Sequence, residues 1–269
     1  MKFMTLQKTC RDLVLAVGVL LFVGSHLYAQ QAVPIVAPPD ANGIFDGNSY
    51  ATPFDTAGRF QQVYDSSVFS SSPWLPEGRG FIGQLILRVD ANFGHSFHST
   101  LPSVQLNLST TLKSADGLSS TFADNVGSDD VAVLGPEPIL FSVLGGGGIA
   151  SFGVLFDFRD NPFYYDSSQG NLLVDFRIHE GFNPPGPTLG EAILDSFTAP
   201  GDPISSVYAQ GSSSLTSGQI STLGLATLFP TSPIPEPSSL ALMSLGCLFA
   251  CGLAWRRRRH QKEKPHVIA

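Results

Sequence analysis

The chain has 269 residues with a net charge of −7, and only 14% of them are charged. Residues 30–232 hold six basic residues (Arg59, Arg79, Arg88, Lys113, Arg159 and Arg177) against nineteen acidic ones, a net charge of −13. That balance excludes nucleic acid as a partner, since binding phosphate requires a positive face. The three cysteines, Cys10, Cys247 and Cys251, lie outside this stretch, so its core must come from packing rather than from disulfides, which a length of about 200 residues permits.

Residues 1–29 have the order of a secretory signal peptide: Lys2, Lys8 and Arg11, an apolar run from Leu13 to Val23, then small Ala29 before Gln30. The competing reading, an uncleaved first helix, suits the short apolar core less well. Cys10 precedes that core, whereas a lipid-bearing cysteine would follow it. Residues 30–57, rich in Pro, Gly, Asn and Asp, read as an irregular lead-in with room for an edge strand at its end.

Residues 58–232 read as an all-β domain. Strands are expected at 60–64, 81–90, 104–109, 131–134, 139–144, 152–158, 171–179, 192–197, 204–209 and 223–229. Loops fall at 70–80, at Asp116-Gly117, at Gly135-Pro136, at Gly145–Gly148, at Asn183–Pro187 and along Gly211–Gly218, and a short helix or irregular turn at 118–126. Val104, Leu106 and Leu108 alternate with Gln105, Asn107 and Ser109, predicting one apolar and one wet face. Likewise Leu172, Val174, Phe176 and Ile178 should face the core while Asp175, Arg177 and His179 face outward, so that Asp175→Ala should be mild. Roughly ten short strands at this spacing argue an antiparallel two-sheet β-sandwich of jelly-roll type. No repeat suggests a propeller or solenoid.

Residues 233–259 form a three-part tail. Pro235, Glu236 and Pro237 come first, an apolar run from Leu240 to Trp255 follows, and Arg256, Arg257, Arg258 and Arg259 close it. The run sits at the short end of what spans a bilayer, and clustered arginine stays cytoplasmic, which places the β domain on the outer side. This layout resembles the PEP-CTERM sorting tail of Gram-negative bacteria. The resemblance implies cleavage near the Pro-Glu-Pro triplet by exosortase, a membrane transpeptidase-like enzyme, with the outer domain passed to the cell surface or to exopolysaccharide. A plain single-span anchor would have the same topology. Residues 260–269 extend past the arginines, where such tails usually stop, as a cytoplasmic tail. From residues 59–64 through 170–175 the chain also looks like a recurrent β-rich cargo domain of such tails, one that implies no chemistry.

Candidate sites are sparse. Asp124, Asn125, Asp129 and Asp130 are hard oxygen ligands that would suit calcium, the only cofactor suggested, although their spacing is not that of an EF-hand and an acidic surface turn is the favoured reading. Asp157, Asp160 and Asp166 form a looser second group. His95 and His98 lack further ligands at metal-binding spacing. Trp74, Tyr164 and Tyr165 could stack against sugar rings, or pack over the domain edge as loop aromatics. There is no Gly-x-Ser-x-Gly elbow, no cysteine nucleophile in the β domain and no lysine to make Gly145–Gly148 a phosphate loop. The sequence therefore points to an exported, non-enzymatic β-sandwich of the cell surface or extracellular matrix. The alternatives are a carbohydrate-binding module, and a glycoside hydrolase built on a carboxylate pair.

Overall fold

The computed structural model describes residues 34–42, 46–70, 72, 75, 78–92, 96–143, 151–182 and 193–230. The chain divides at Ser232/Pro233, and the unit beyond that point lies outside the described residues, as do the signal segment, Trp74, His95, Gly145–Gly148 and the Asn183–Pro187 turn.

The lead-in supplies two strands, β1 (Ile35–Ala37) and β2 (Ser49–Ala51), and it places Phe54 in the core. Next come β3 (Gly58–Tyr64), a single helical turn α1 (Ser67–Ser70), β4 (Arg79–Ile82) and β5 (Gln84–Val89). Sequence alternation predicted one strand over 81–90, but the chain breaks at Gly83, and its two halves join different sheets. The long β6 (Phe97–Thr111) is followed by a 3-10 turn at Phe122–Asn125 and by β7 (Val131–Val143). Gly135-Pro136, expected to separate two strands, lies inside β7 as a bulge. Gly135 has φ +73, and a Cβ there would collide with the Val104 carbonyl, so only glycine carries the strand through.

The second half of the chain contributes β8 (Ser151–Asp157), β9 (Phe163–Asp166) and β10 (Asn171–Glu180). It continues with β11 (Leu194–Thr198), β12 (Ile204–Gln210), β13 (Gln219–Ser221), β14 (Leu223–Leu225) and β15 (Thr227–Phe229). Among the described residues every strand pairing is antiparallel. One sheet runs β1-β15-β5-β11-β14, with β2 added to β11 and β8 to β5; a second runs β13-β12-β3-β10-β6-β7; and β4 and β9 form a two-stranded ribbon. This is an all-β body, as expected.

A main core cluster draws on both large sheets: Leu85, Leu87 and Phe156 from the first, Leu106, Leu108, Leu172, Val174, Phe176 and Ile178 from the second. Phe176 lies 5.0 Å from Phe156, in a tilted ring contact that ties the two sheets together, and meets Phe54 of the lead-in edge-on at 5.3 Å. The face of β10 predicted to be core is core. Its other face is only partly wet: His179 is exposed and Arg177 half-buried, as expected, but Leu173 and Asp175 are buried. A covering segment, roughly 113–130, folds back over β6, β10, β3 and β12 and buries a second cluster of Val63, Leu118, Phe122, Leu173 and Val207. Beneath or beside it Asn107, Ser109 and Asp175 are all buried. Alternation identifies which residues share a face, but it does not say whether a distant segment will cover that face.

Candidate functional site

Of the four residues read as calcium ligands, Asn125, Asp129 and Asp130 hold the covering segment down on β3 and β6, and Asp124 bonds within it. Asn125 is fully buried: its side-chain oxygen accepts from the Ser119 amide at 2.7 Å, and its amide donates to Gln61 Oε1 at 3.1 Å and to the Ser119 carbonyl at 2.8 Å. Asp124 accepts from the Ser119 hydroxyl at 2.9 Å, and Asp129 from the Thr110 amide at 2.7 Å. Both oxygens of Asp130 accept from Asn107 Nδ2, at 3.1 and 3.0 Å, while burial pushes its carboxyl up and Asn107 pulls it back. Asp124 and Asp129 border one open groove with Lys113 and Gln169, which Asn125 and Asp130 do not line.

The proposed stacking trio separates. Tyr165 belongs to β9 and is fully buried, its hydroxyl donating to the Gly170 carbonyl at 2.8 Å and its ring edge-on to Phe69 at 5.0 Å. Burial drives its phenol up from the ordinary value. A buried ring offers no face to a sugar, so Tyr165 is a core residue. Tyr164, one position along, points outward and is 51% exposed. Trp74 lies outside the described residues. Asp157 and Asp166 are spent on separate partners, Arg159 at 2.6 Å and the Ser168 hydroxyl at 2.6 Å, and His98 is an exposed residue of β6.

Among the described residues the carboxylates that do converge are Asp46, Asp90 and Asp195, with oxygens within 4.8 Å of one another. Sequence reasoning missed them because they come from three distant points of the chain, the lead-in, the end of β5 and the middle of β11. Asp195 is fully buried; Oδ1 accepts from the Gly47 amide at 2.8 Å and Oδ2 from Arg88 Nε at 2.5 Å. Asp46 accepts from the Ala91 amide at 3.1 Å and from Asn92 Nδ2, and Asp90 from the Asn92 amide at 2.9 Å. Arg88 also donates to the Ala41 carbonyl at 2.8 Å and lies over the rings of Phe152 and Phe197, at 5.5 and 5.7 Å. The arrangement is a latch: one guanidinium and three carboxylates fasten the lead-in to β5 and β11. Asp90 and Asp195 are both buried, and Asp46 is half-buried.

Burial pushes the Asp195 carboxyl up to about 6 against the opposing pull of Arg88, with Asp46 adding to the rise. The folded state thus keeps a proton that the unfolded chain releases near pH 4. This contribution to stability is full below about pH 4 and is lost as pH rises through 6. Asp55, Asp130 and Asp202, also raised by burial, act with the same sign. Denaturant titrations at pH 5 and pH 7 should find the protein about 1 kcal/mol more stable at pH 5 from Asp195 alone. Asp195→Asn should shrink that difference, and an unchanged pH slope in the variant would refute the assignment.

The described residues thus define an antiparallel all-β protein whose clustered charges serve its own fold. The tail adds a sorting signal: residues 233–259 match the PEP-CTERM protein-sorting motif. A tail of this kind implies export, membrane anchoring and processing by exosortase. No curated protein matches the chain, and no solved structure matches it. Among the described residues no helix is long and apolar enough to cross a membrane.

Proposed function

We propose that this chain is a non-catalytic, surface-sorted protein. It is exported behind a signal peptide at 1–29, held in the inner membrane by the run from Leu240 to Trp255, and released by an exosortase-like enzyme to the cell envelope or extracellular matrix. The exported body is a jelly-roll-like β-sandwich. The observation that carries this reading is the sorting-motif match at 233–259. Two sheets sharing one aromatic core support the sandwich, and burial of Asp90 and Asp195, two of the three converging carboxylates, supports the absence of catalysis.

The mechanism follows from the order of parts. Proline does not continue a helix, so Pro235-Glu236-Pro237 sets an extended, rigid triplet at the outer membrane surface, while Arg256–Arg259 hold the other end at the cytoplasmic face. Extended backbone pairs along an enzyme cleft as a helix does not. The mature protein should end close to Pro237. Glu236→Ala should accumulate uncut precursor in the inner membrane, whereas deleting 261–269 should change little. Intact-mass spectrometry of protein from its native host decides the matter: a mature form that retains a peptide containing His266 would replace sorting with a permanent single-span anchor.

A further inference from the structure

The outward face of the β4–β9 ribbon carries a pair of solvent-exposed aromatic rings. Gly80, Ile82, Phe163 and Tyr165 point inward and are buried, while Arg79, Phe81 and Tyr164 are exposed. Antiparallel register sets Phe81 opposite Tyr164 and Arg79 opposite Asp166. The two aromatic rings meet edge to face at 5.3 Å, and each is more than half open to solvent. Beyond Phe81 at the other end, Arg159 lies against Gly83, its Cγ 3.1 Å from where a Cβ would stand. It grips Asp157 through Nε at 2.9 Å and a terminal nitrogen at 2.6 Å.

The result is an apolar step one residue pair wide, with a guanidinium and a carboxylate at each end. Of the six basic residues between 30 and 232, Arg59, Arg88, Lys113 and Arg177 are buried or half-buried, and the two that stand exposed are Arg79 and Arg159. In a region carrying −13, the exposed positive charge is gathered at the ends of the aromatic step.

We infer that this face binds a pyranose polysaccharide, a role that goes beyond sorting by the tail and does not depend on it. A pyranose ring has an apolar C–H face and a rim of hydroxyls that both donate and accept. The Phe81–Tyr164 pair suits the first, and acceptor carboxylates beside donor guanidiniums suit the second. Asp157, held low chiefly by Arg159, and Asp166, held low chiefly by Ser168, remain charged acceptors at neutral pH. The dimensions favour a sugar over a protein. Side chains two apart along a strand are about 7 Å apart, so charge interrupts the apolar surface within one ring's width, whereas a stable protein interface buries about 800 Å² on each side.

The test is affinity electrophoresis of the full-length chain in detergent through gels containing dextran, xylan or alginate. At least one polymer should retard the protein, and Phe81→Ala and Tyr164→Ala should each weaken that retardation roughly tenfold, the scale of one lost aromatic packing contact. Arg159→Gln should weaken it less, and Tyr208→Ala, an exposed aromatic on β12, should leave it unchanged. Tyr164 projects into solvent, so its variant should keep the parent melting temperature even if Phe81→Ala does not fold. No retardation by any of the three polymers, or retardation that survives Tyr164→Ala, overturns the proposal. So does self-association lost in Tyr164→Ala without glycan binding, which would make the face a contact between two copies of the chain.

Discussion

Val174→Asp should abolish cooperative unfolding of the β domain at 25 °C. Val174 is fully buried at the centre of β10, opposite Gln62 of β3 on one side and Leu108 of β6 on the other. The substitution forfeits about 1.5 kcal/mol of apolar burial and places a carboxyl among hydrocarbon at a further cost of several kcal/mol. Together these rival the 5–15 kcal/mol that holds a typical domain folded. Phe176→Ala, two residues along the same face, should cost about 3–5 kcal/mol and leave a folded but weakened protein, since it empties the space between Phe54 and Phe156. The adjacent Asp175→Ala is no longer expected to be mild. Its carboxylate is buried and accepts from Arg59 Nε at 2.9 Å and a terminal nitrogen at 2.5 Å, with Arg177 at 3.3 Å. Both arginines retain some solvent contact, so the loss should be about 1–3 kcal/mol rather than the full cost of a stranded buried charge. Urea denaturation ranks the three, and equal losses at 174 and 175 would contradict the face assignment.

Arg88→Ala should cost about 3–5 kcal/mol, because it leaves the buried Asp195 carboxylate beside Asp46 and Asp90 with no cation. It also removes the donor to the Ala41 carbonyl and the cation over Phe152 and Phe197, loosening the lead-in from β5. Two further measurements distinguish a charge effect from simple loss of volume. The deficit should narrow between pH 7 and pH 5, where Asp195 takes up a proton. Arg88→Met combined with Asp195→Asn should recover much of the stability, since an ion pair replaced by groups of similar size is often neutral. A deficit under about 1 kcal/mol, or one indifferent to pH, would show that the latch is not what secures the lead-in.

What the amino-acid sequence determined by itself is what rests on local order. Period-two alternation assigns Val104, Leu106, Leu108, Leu172, Val174, Phe176 and Ile178 to the core, because neighbouring side chains on a strand must point to opposite faces. The tail at 233–259 is likewise written in consecutive residues. Tertiary structure decided whatever depends on segments far apart in the chain. Asn107, Ser109 and Asp175 carry the pattern of a wet face and are buried because an aperiodic segment with a 3-10 turn folds over them. Tyr164 and Tyr165 have the same composition and nearly the same position; pairing with β4 sends one ring to solvent and the other to the core. Asp46, Asp90 and Asp195 share no motif and meet only because β5 and β11 pair at Val89 and Leu194, bringing the ends of two strands against the lead-in. Strand alternation is a property of the backbone, but convergence of side chains is a property of register between strands, and no local run of residues encodes that.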